Sequence, residues 1–330
     1  MATKLAEMIP PPGTGAFLNA HGWGGGAVRP LAGDASFRRY FRVELQGRTA
    51  VLMDAPPDKE DSRPFLAIGR HLHDLGFSAP QQLASDLDQG LILLEDYGDA
   101  RVNPVLAADA SAEQAIYATA VDILAELHRH PPADVPPYSE AEYLREARLF
   151  PEWYLPAVGL TEAPGYNEAW APLWPALFTH PPVLVLRDYH ADNLMLLNRP
   201  GLKRLGLLDY QDALAGHPAY DLASLLQDIR RVVSPELEAA MLARYIAARP
   251  ELDEAAFRTA YAILAAQRNI KILGVFTRLY VRDRKPAYPA FHPRLWELVT
   301  ANLEHPALAP VKAWFDAHVP ASARHGVKVA

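Results

Sequence analysis

At 330 residues, half of them hydrophobic and 22% charged, the chain has the composition of a globular protein with room for two compact parts. A net charge of −7 argues against a nucleic-acid partner, whose phosphates select basic surfaces, and the absence of cysteine excludes disulfides and thiolate-held metals. No stretch reaches the ~20 apolar residues of a membrane span and the first residues carry no signal-peptide core, so a cytoplasmic, membrane-free protein is expected.

Taken in chain order, Gly33-Asp34-Ala35-Ser36 reads as a tight turn. Tyr40–Leu45 and Thr49–Asp54 read as strands joined by the turn Gln46-Gly47-Arg48. Ser62–Gly76 carries Phe65, Ile68, Leu72 and Leu75 at helical spacing, with Ser62 as its cap and Gly76 as its end. Leu91–Leu94 is a short, wholly apolar strand closed by Glu95-Asp96-Tyr97-Gly98. Ser111 is placed to cap a helix whose apolar face runs from Ile116 to Leu127.

Two apolar runs follow, Val183–Leu186 and Leu205–Leu208, each ending in a polar segment that holds aspartate. From Asp221 to about Asp316 the pattern is helical, with one long helix over 254–281, and Ser322–Ala330 reads as a frayed tail. Strands gathered early and helices gathered late predict an α+β fold with segregated lobes. A nucleotide-binding lobe is expected over 1–96 and a helical lobe with the catalytic loop and substrate site over 97–330. Regular strand–helix alternation is missing, which counts against a dinucleotide-binding sheet.

The chemistry concentrates in two places. In Val183–Leu197 an apolar run stops at Asp188, resumes after Asn193, and is followed by Asp209 at the end of the next apolar run. Two short strands that each deliver an acid to one edge suit phosphoryl transfer. That reaction needs a carboxylate to take the proton of the attacking hydroxyl and hard oxygens to hold magnesium. Asp188 fits the first role, Asn193 and Asp209 the second.

Asp188-Tyr-His-Ala-Asp-Asn193, followed by Asp209, resembles the catalytic and metal-binding segments of the aminoglycoside phosphotransferase-like kinases. The resemblance implies a protein-kinase-like two-lobed fold with ATP and Mg2+ as cofactors. It also implies that Asp221, in Gly216-His-Pro-Ala-Tyr-Asp221, buttresses the catalytic loop. Ser36, Phe37, Arg38 and Arg39 fall where the phosphate-covering loop belongs, and the backbone of Glu95 to Tyr97 where an adenine edge is read. Two features depart from that family. Leu186 replaces the histidine two residues before the catalytic aspartate. Met53 stands where the phosphate-binding lysine is expected, and the helix over 62–75 has no glutamate to pair with one. Arg38, Arg39 or Arg42 then takes over the phosphates, or the chain binds ATP without turnover.

A narrower resemblance joins Gly33–Tyr40, Met53–Pro57, Leu94–Asp99, Glu152–Pro156 and Arg268–Gly274 to the bacterial N-acetylmuramate/N-acetylglucosamine anomeric kinases. It implies a small amino-sugar substrate phosphorylated at its anomeric hydroxyl in peptidoglycan recycling. The product would pass to a uridylyltransferase, and a monomer is expected. Arg268 and Lys271 share a helix face and are candidates for a substrate carboxylate; Trp153 and Tyr154 are candidates for stacking on a sugar. The alternatives are a kinase of aminoglycosides, choline or homoserine, and a non-catalytic ATP-binding relative.

Overall fold

The computed structural model describes residues 8–33 and 37–327. In chain order its principal elements are α1 (Thr14–Ala20), β1 (Ala27–Gly33), β2 (Arg39–Leu45), β3 (Arg48–Asp54), α2 (Arg63–Asp74), β4 (Gln82–Asp86), β5 (Leu91–Glu95) and α3 (Val102–Ala108). There follow α4 (Glu113–Leu127), α5 (Glu140–Ala147), β6 (Val183–Val185), β7 (Leu194–Leu196), β8 (Leu205–Leu207) and β9 (Leu214–Gly216). Helices α6 (Ala219–Leu226), α7 (Pro235–Ala248), α8 (Glu254–Val281), α9 (His292–Leu303) and α10 (Ala309–His318) complete the chain.

They form two compact units: Met1–Asp109 with Asp192–Asp212, and Ala110–Ala191 with Ala213–Ala330. The first boundary therefore falls at Asp109 and not at 96, and the β7–β8 hairpin groups with the N-terminal strands. Backbone hydrogen bonds explain this. Leu196 N–H donates to Ala100 O and Leu207 N–H to Ser78 O, both at 2.7 Å.

The first unit is built on a five-stranded antiparallel sheet in the order β1-β2-β3-β5-β4. The β2–β3 hairpin turns through Gln46 and Gly47, both at positive φ (52° and 79°), which is the two-residue turn whose twist matches the flanking strands. Leu91–Leu94 are all buried, as a strand covered on both faces requires. By the pleat, Leu91 and Leu93 join Phe41, Val43, Ala50 and Leu52 in a core closed by Phe17, Leu18 and Trp23 from α1 and the turn after it. The two strands absent from the sequence reading, β1 and β4, are the sheet's edges. Pro30 inside β1 is tolerated there because an edge strand has an amide position that needs no ladder partner. Helix α2 buries Phe65, Ile68 and Leu72 as its spacing predicts, and Gly76 follows it at φ 89°. Ser62 occupies the cap position without a side-chain cap bond, and α4 is preceded by Ala112, with Ser111 inside a short 3-10 turn.

The second unit pairs β6 with β9 and is otherwise helical. Helix α8 spans the expected 28 residues, starts under an Asp253 cap on Ala256 N–H, and is buried on all sides from Ala262 to Ile270. The expectation of a frayed tail is corrected as far as Val327. Tyr154 Oη donates to Ala323 O at 2.7 Å and accepts from Gly326 N–H at 3.1 Å, and Val327 N–H donates to His292 Nδ1. Among the described residues no helix is long and apolar enough to cross a membrane.

Candidate active site

The first unit contains a cavity of about 540 Å3 with a mixed lining. Val51, Leu94, Met195 and Leu208 contribute apolar surface; Asp96, Asp99, Arg101, Asn193, Asp209 and Gln211 contribute polar and charged groups. Register explains how the polar residues meet. Asn193 directly precedes β7, Asp209 lies two residues beyond β8, and the hairpin pairs Leu194 with Leu207. Leu208 N–H then donates to Asn193 O at 3.0 Å, carrying the hairpin ladder up to the pair. Asp209 itself sits at φ 61°, a left-handed conformation that a non-glycine residue adopts only when its surroundings hold it there.

Asp209 meets three donors. Asn193 Nδ2 approaches Oδ2 at 3.3 Å, Gln211 Nε2 approaches Oδ1 at 2.8 Å, and Arg38 Nη2 lies 3.5 Å from Oδ1. A carboxylate beside an amide oxygen is a hard-oxygen donor set. It fits magnesium, which takes one or two protein carboxylates and completes its shell with water and phosphate oxygens. No group of three or more His, Asp or Glu side chains arranged to hold a metal occurs among the described residues.

The three arginines near the start of β2 part company. Arg38 is buried and directed at Asp209. Arg39 is held by Asp54, with Nε 2.7 Å from the carboxylate, and Arg42 binds Asp96 and Asp99. Phe37 is exposed and its N–H donates to Glu60 Oε1 at 3.0 Å; Ser36 lies outside the described residues. Met53 is fully buried opposite Tyr40, and α2 carries no glutamate, so neither half of the lysine–glutamate pair is present.

Glu95 and Tyr97 both line the cavity, but their side chains serve the scaffold. Arg199 pairs with Glu95, lies 5.3 Å over the Tyr97 ring and donates to Ser78 Oγ at 3.0 Å. Glu95 N–H is already engaged by Gln81 O at 2.9 Å, which leaves the edge to the segment after it. Tyr97 also rests on Gly206, where a Cβ would come within 2.6 Å of the ring.

The segment before the hairpin belongs to the second unit. Asp188 is exposed, one residue past a strained turn. Arg187 has φ 71° and Asp188 N–H donates back to Leu186 O at 2.9 Å, a γ-turn of the rare positive-φ kind. Asp221 braces this turn as expected: its two oxygens accept from Leu186 N–H at 2.7 Å and Arg187 N–H at 2.8 Å. Burial pushes the Asp221 carboxyl up to about 7 against those two donors. His190 is buried, and burial together with the nearby Arg230 lowers its imidazole to about 3, so it is neutral.

Two substrate-side expectations, Tyr154 and Lys271, are corrected. Tyr154 is fully buried in the π-helical turn Phe150–Tyr154, its hydroxyl accepting from Trp296 Nε1 at 2.7 Å, so it has no open face for a sugar. Lys271 spends its charge on Glu146 at 2.7 Å. Arg268 is only 4% exposed, and its Nη1 is buried without a hydrogen-bond partner among the described residues. Trp153 is half-buried in the same turn as Tyr154. Sequence reasoning missed Gln211 and Glu146. In its segment Glu146 reads as one more charge on an acidic helix face, and nothing local distinguishes it.

A small antiparallel sheet unit and a helical unit, with an aspartate, an asparagine five residues on and a second aspartate after a short hairpin, define the protein-kinase-like class. Solved structures agree. A choline/ethanolamine kinase family protein from Mesorhizobium loti superposes with a TM-score of 0.61 at 17% identity, over 94% of this chain and 97% of that one. An ADP-bound aminoglycoside phosphotransferase does so with a TM-score of 0.55 at 20% identity, over 85% and 93%. Residues 27–257 match the phosphotransferase enzyme family, and the chain belongs to it. It is 39% identical to the N-acetylmuramate/N-acetylglucosamine kinase of Caulobacter vibrioides, over 94% of this chain and 96% of that protein. To the kinase of the same name from Pseudomonas aeruginosa it is 38% identical, over 88% and 89%.

Proposed function

We propose that the protein is an ATP-dependent sugar kinase that phosphorylates the anomeric hydroxyl of N-acetylmuramate, N-acetylglucosamine or both. The observation that carries the phosphotransfer reading is the pairing of Asn193 with Asp209 in the lining of a nucleotide-sized cavity. The substrate class rests on the likeness to kinases of that name at 38–39% identity. The apolar lining takes the base, and the backbone of Asp96 and Tyr97 is offered to the adenine edge, Gly98 N–H being held by Asp96 Oδ1 at 2.9 Å. Arg38 supplies the positive charge that the strand at Met53 does not. Asn193 and Asp209 would hold magnesium, which when bound offsets phosphate charge. Asp188 accepts the proton of the sugar hydroxyl as its oxygen bonds to the γ-phosphorus and ADP departs. Arg268, whose Nη1 has no partner among the described residues, is the candidate for the muramyl carboxylate. Such a kinase would work in the cytoplasm, where ATP is abundant, and hand a sugar 1-phosphate to a uridylyltransferase.

The test is ADP release from magnesium-ATP with N-acetylmuramate, N-acetylglucosamine, kanamycin or no acceptor, run beside Asp188→Asn. Release with the acetylated sugars alone, lost by on the order of a thousandfold in the variant while nucleotide affinity holds, is expected. Release with kanamycin alone would replace the substrate class, and a variant as active as wild type would remove Asp188 from its role.

A further inference from the structure

The turn that presents Asp188 is strained, and strain of this kind persists only where neighbouring groups enforce it. Asp221 grips its backbone. The side chain of Arg187 is gripped separately, by Glu146, which lies 41 residues earlier in the sequence on α5. Glu146 is fully buried and does not rely on Arg187 for its place. Lys271 Nζ reaches Oε1 at 2.7 Å, Tyr138 Oη donates to Oε2, and Gln267 Nε2 approaches the same oxygen at 3.4 Å. The carboxylate is thus fixed from α8 and from the segment before α5. The Tyr138 ring also lies 5.7 Å from the Arg187 guanidinium, so Arg187 meets a fixed anion and an aromatic face. Burial alone would raise the Glu146 carboxyl; Lys271 and Arg187 outweigh it and bring the group down to about 2.

We infer that Glu146 is a positioning residue for Asp188, acting through Arg187: it anchors the guanidinium and thereby holds the left-handed turn that aims the catalytic carboxylate. This rests on the reading of Asp188 as proton acceptor. It also gives the departure at Leu186 a physical counterpart, since the side chain that orients the loop stands one residue later and finds its partner on another helix.

Two variants test it, because Glu146→Gln leaves Arg187 and Lys271 together without their anion and risks misfolding. The second, Glu146→Gln with Lys271→Met, removes one charge of each sign. In the folded variant kcat falls about 10- to 100-fold, as a misaimed base predicts, while the KM for ATP stays within about twofold. Amide hydrogen exchange accelerates in the segment 186–190 and not in β7–β8. A folded variant with wild-type kcat, or one whose 186–190 amides exchange no faster than wild type, overturns the inference. If the wild type transfers phosphate to no sugar, the functional reading fails, and the exchange measurement alone decides whether Glu146 holds the turn.

Discussion

Two carboxylates, one in each unit, are treated in opposite ways by the fold. Glu146 has a side-chain exposure of 1% and takes a lysine, an arginine, a tyrosine and a glutamine. Asp209 keeps a side-chain exposure of 33%, meets amides at 2.8 and 3.3 Å, and has its guanidinium neighbour at 3.5 Å. A buried charge that already has its counter-charges is part of the scaffold; removing one partner strands the rest. An acid left partly exposed, at positive φ, beside another oxygen donor suits the cation-binding role proposed for it. The difference separates aiming from binding.

The contrast breaks most readily at Asp209. Asp209→Asn should lower turnover by on the order of a thousandfold and abolish the extra thermal stability that magnesium-ATP confers over ATP alone. A magnesium increment intact in Asp209→Asn would place the cation elsewhere.

Next in size is the phosphate charge. Arg38→Met should raise the KM for ATP by about tenfold or more through loss of a charge-assisted contact. Met53→Lys in that background should not restore it. The new ammonium would be buried, α2 offers no glutamate to pair with it, and the melting temperature should fall. Recovery by Met53→Lys would mean that a cation on this strand can still reach the phosphates.

The smallest effect is on stability in acid. Glu146 has a folded-state pKa of about 2 against an ordinary 4.5. A depressed carboxyl stabilises the fold fully above its unfolded pKa, and that contribution drains away as pH falls from about 4.5 through about 2. The loss amounts to about 3 kcal/mol. Urea unfolding across that window should show the decline in wild type and a flatter profile in Glu146→Gln; equal slopes would mean that other carboxylates dominate.

What could be read from the sequence follows the range of the forces involved. The β2–β3 turn, the helical spacing of α2, the full extent of α8 and the placing of Asp188, Asn193 and Asp209 next to short apolar strands are set by residues close in the chain, where periodicity and turn chemistry act. The edge strands β1 and β4 lacked the β-branched and aromatic density of interior strands, so nothing local marked them. Which of Arg38, Arg39 and Arg42 turns toward Asp209 depended on where Asp54, Asp96 and Asp99 came to lie. Tyr154 and Trp153 looked equivalent in sequence, yet one is core and the other is half-buried, because a π-helical turn rotates them differently. Glu146 meets its partners from α8 and the Asp188 turn only once the helices have packed.

The docking of the last residues has a practical consequence. Because Ala323 and Gly326 join Trp296 in hydrogen-bonding a buried phenol, the second unit is closed, in a mechanical sense, only when the segment up to Gly326 is seated. A chain cut after His318 would leave a cork out of its bottle. A fusion partner attached at the carboxyl end needs a spacer long enough that those residues can still seat before anything bulky begins.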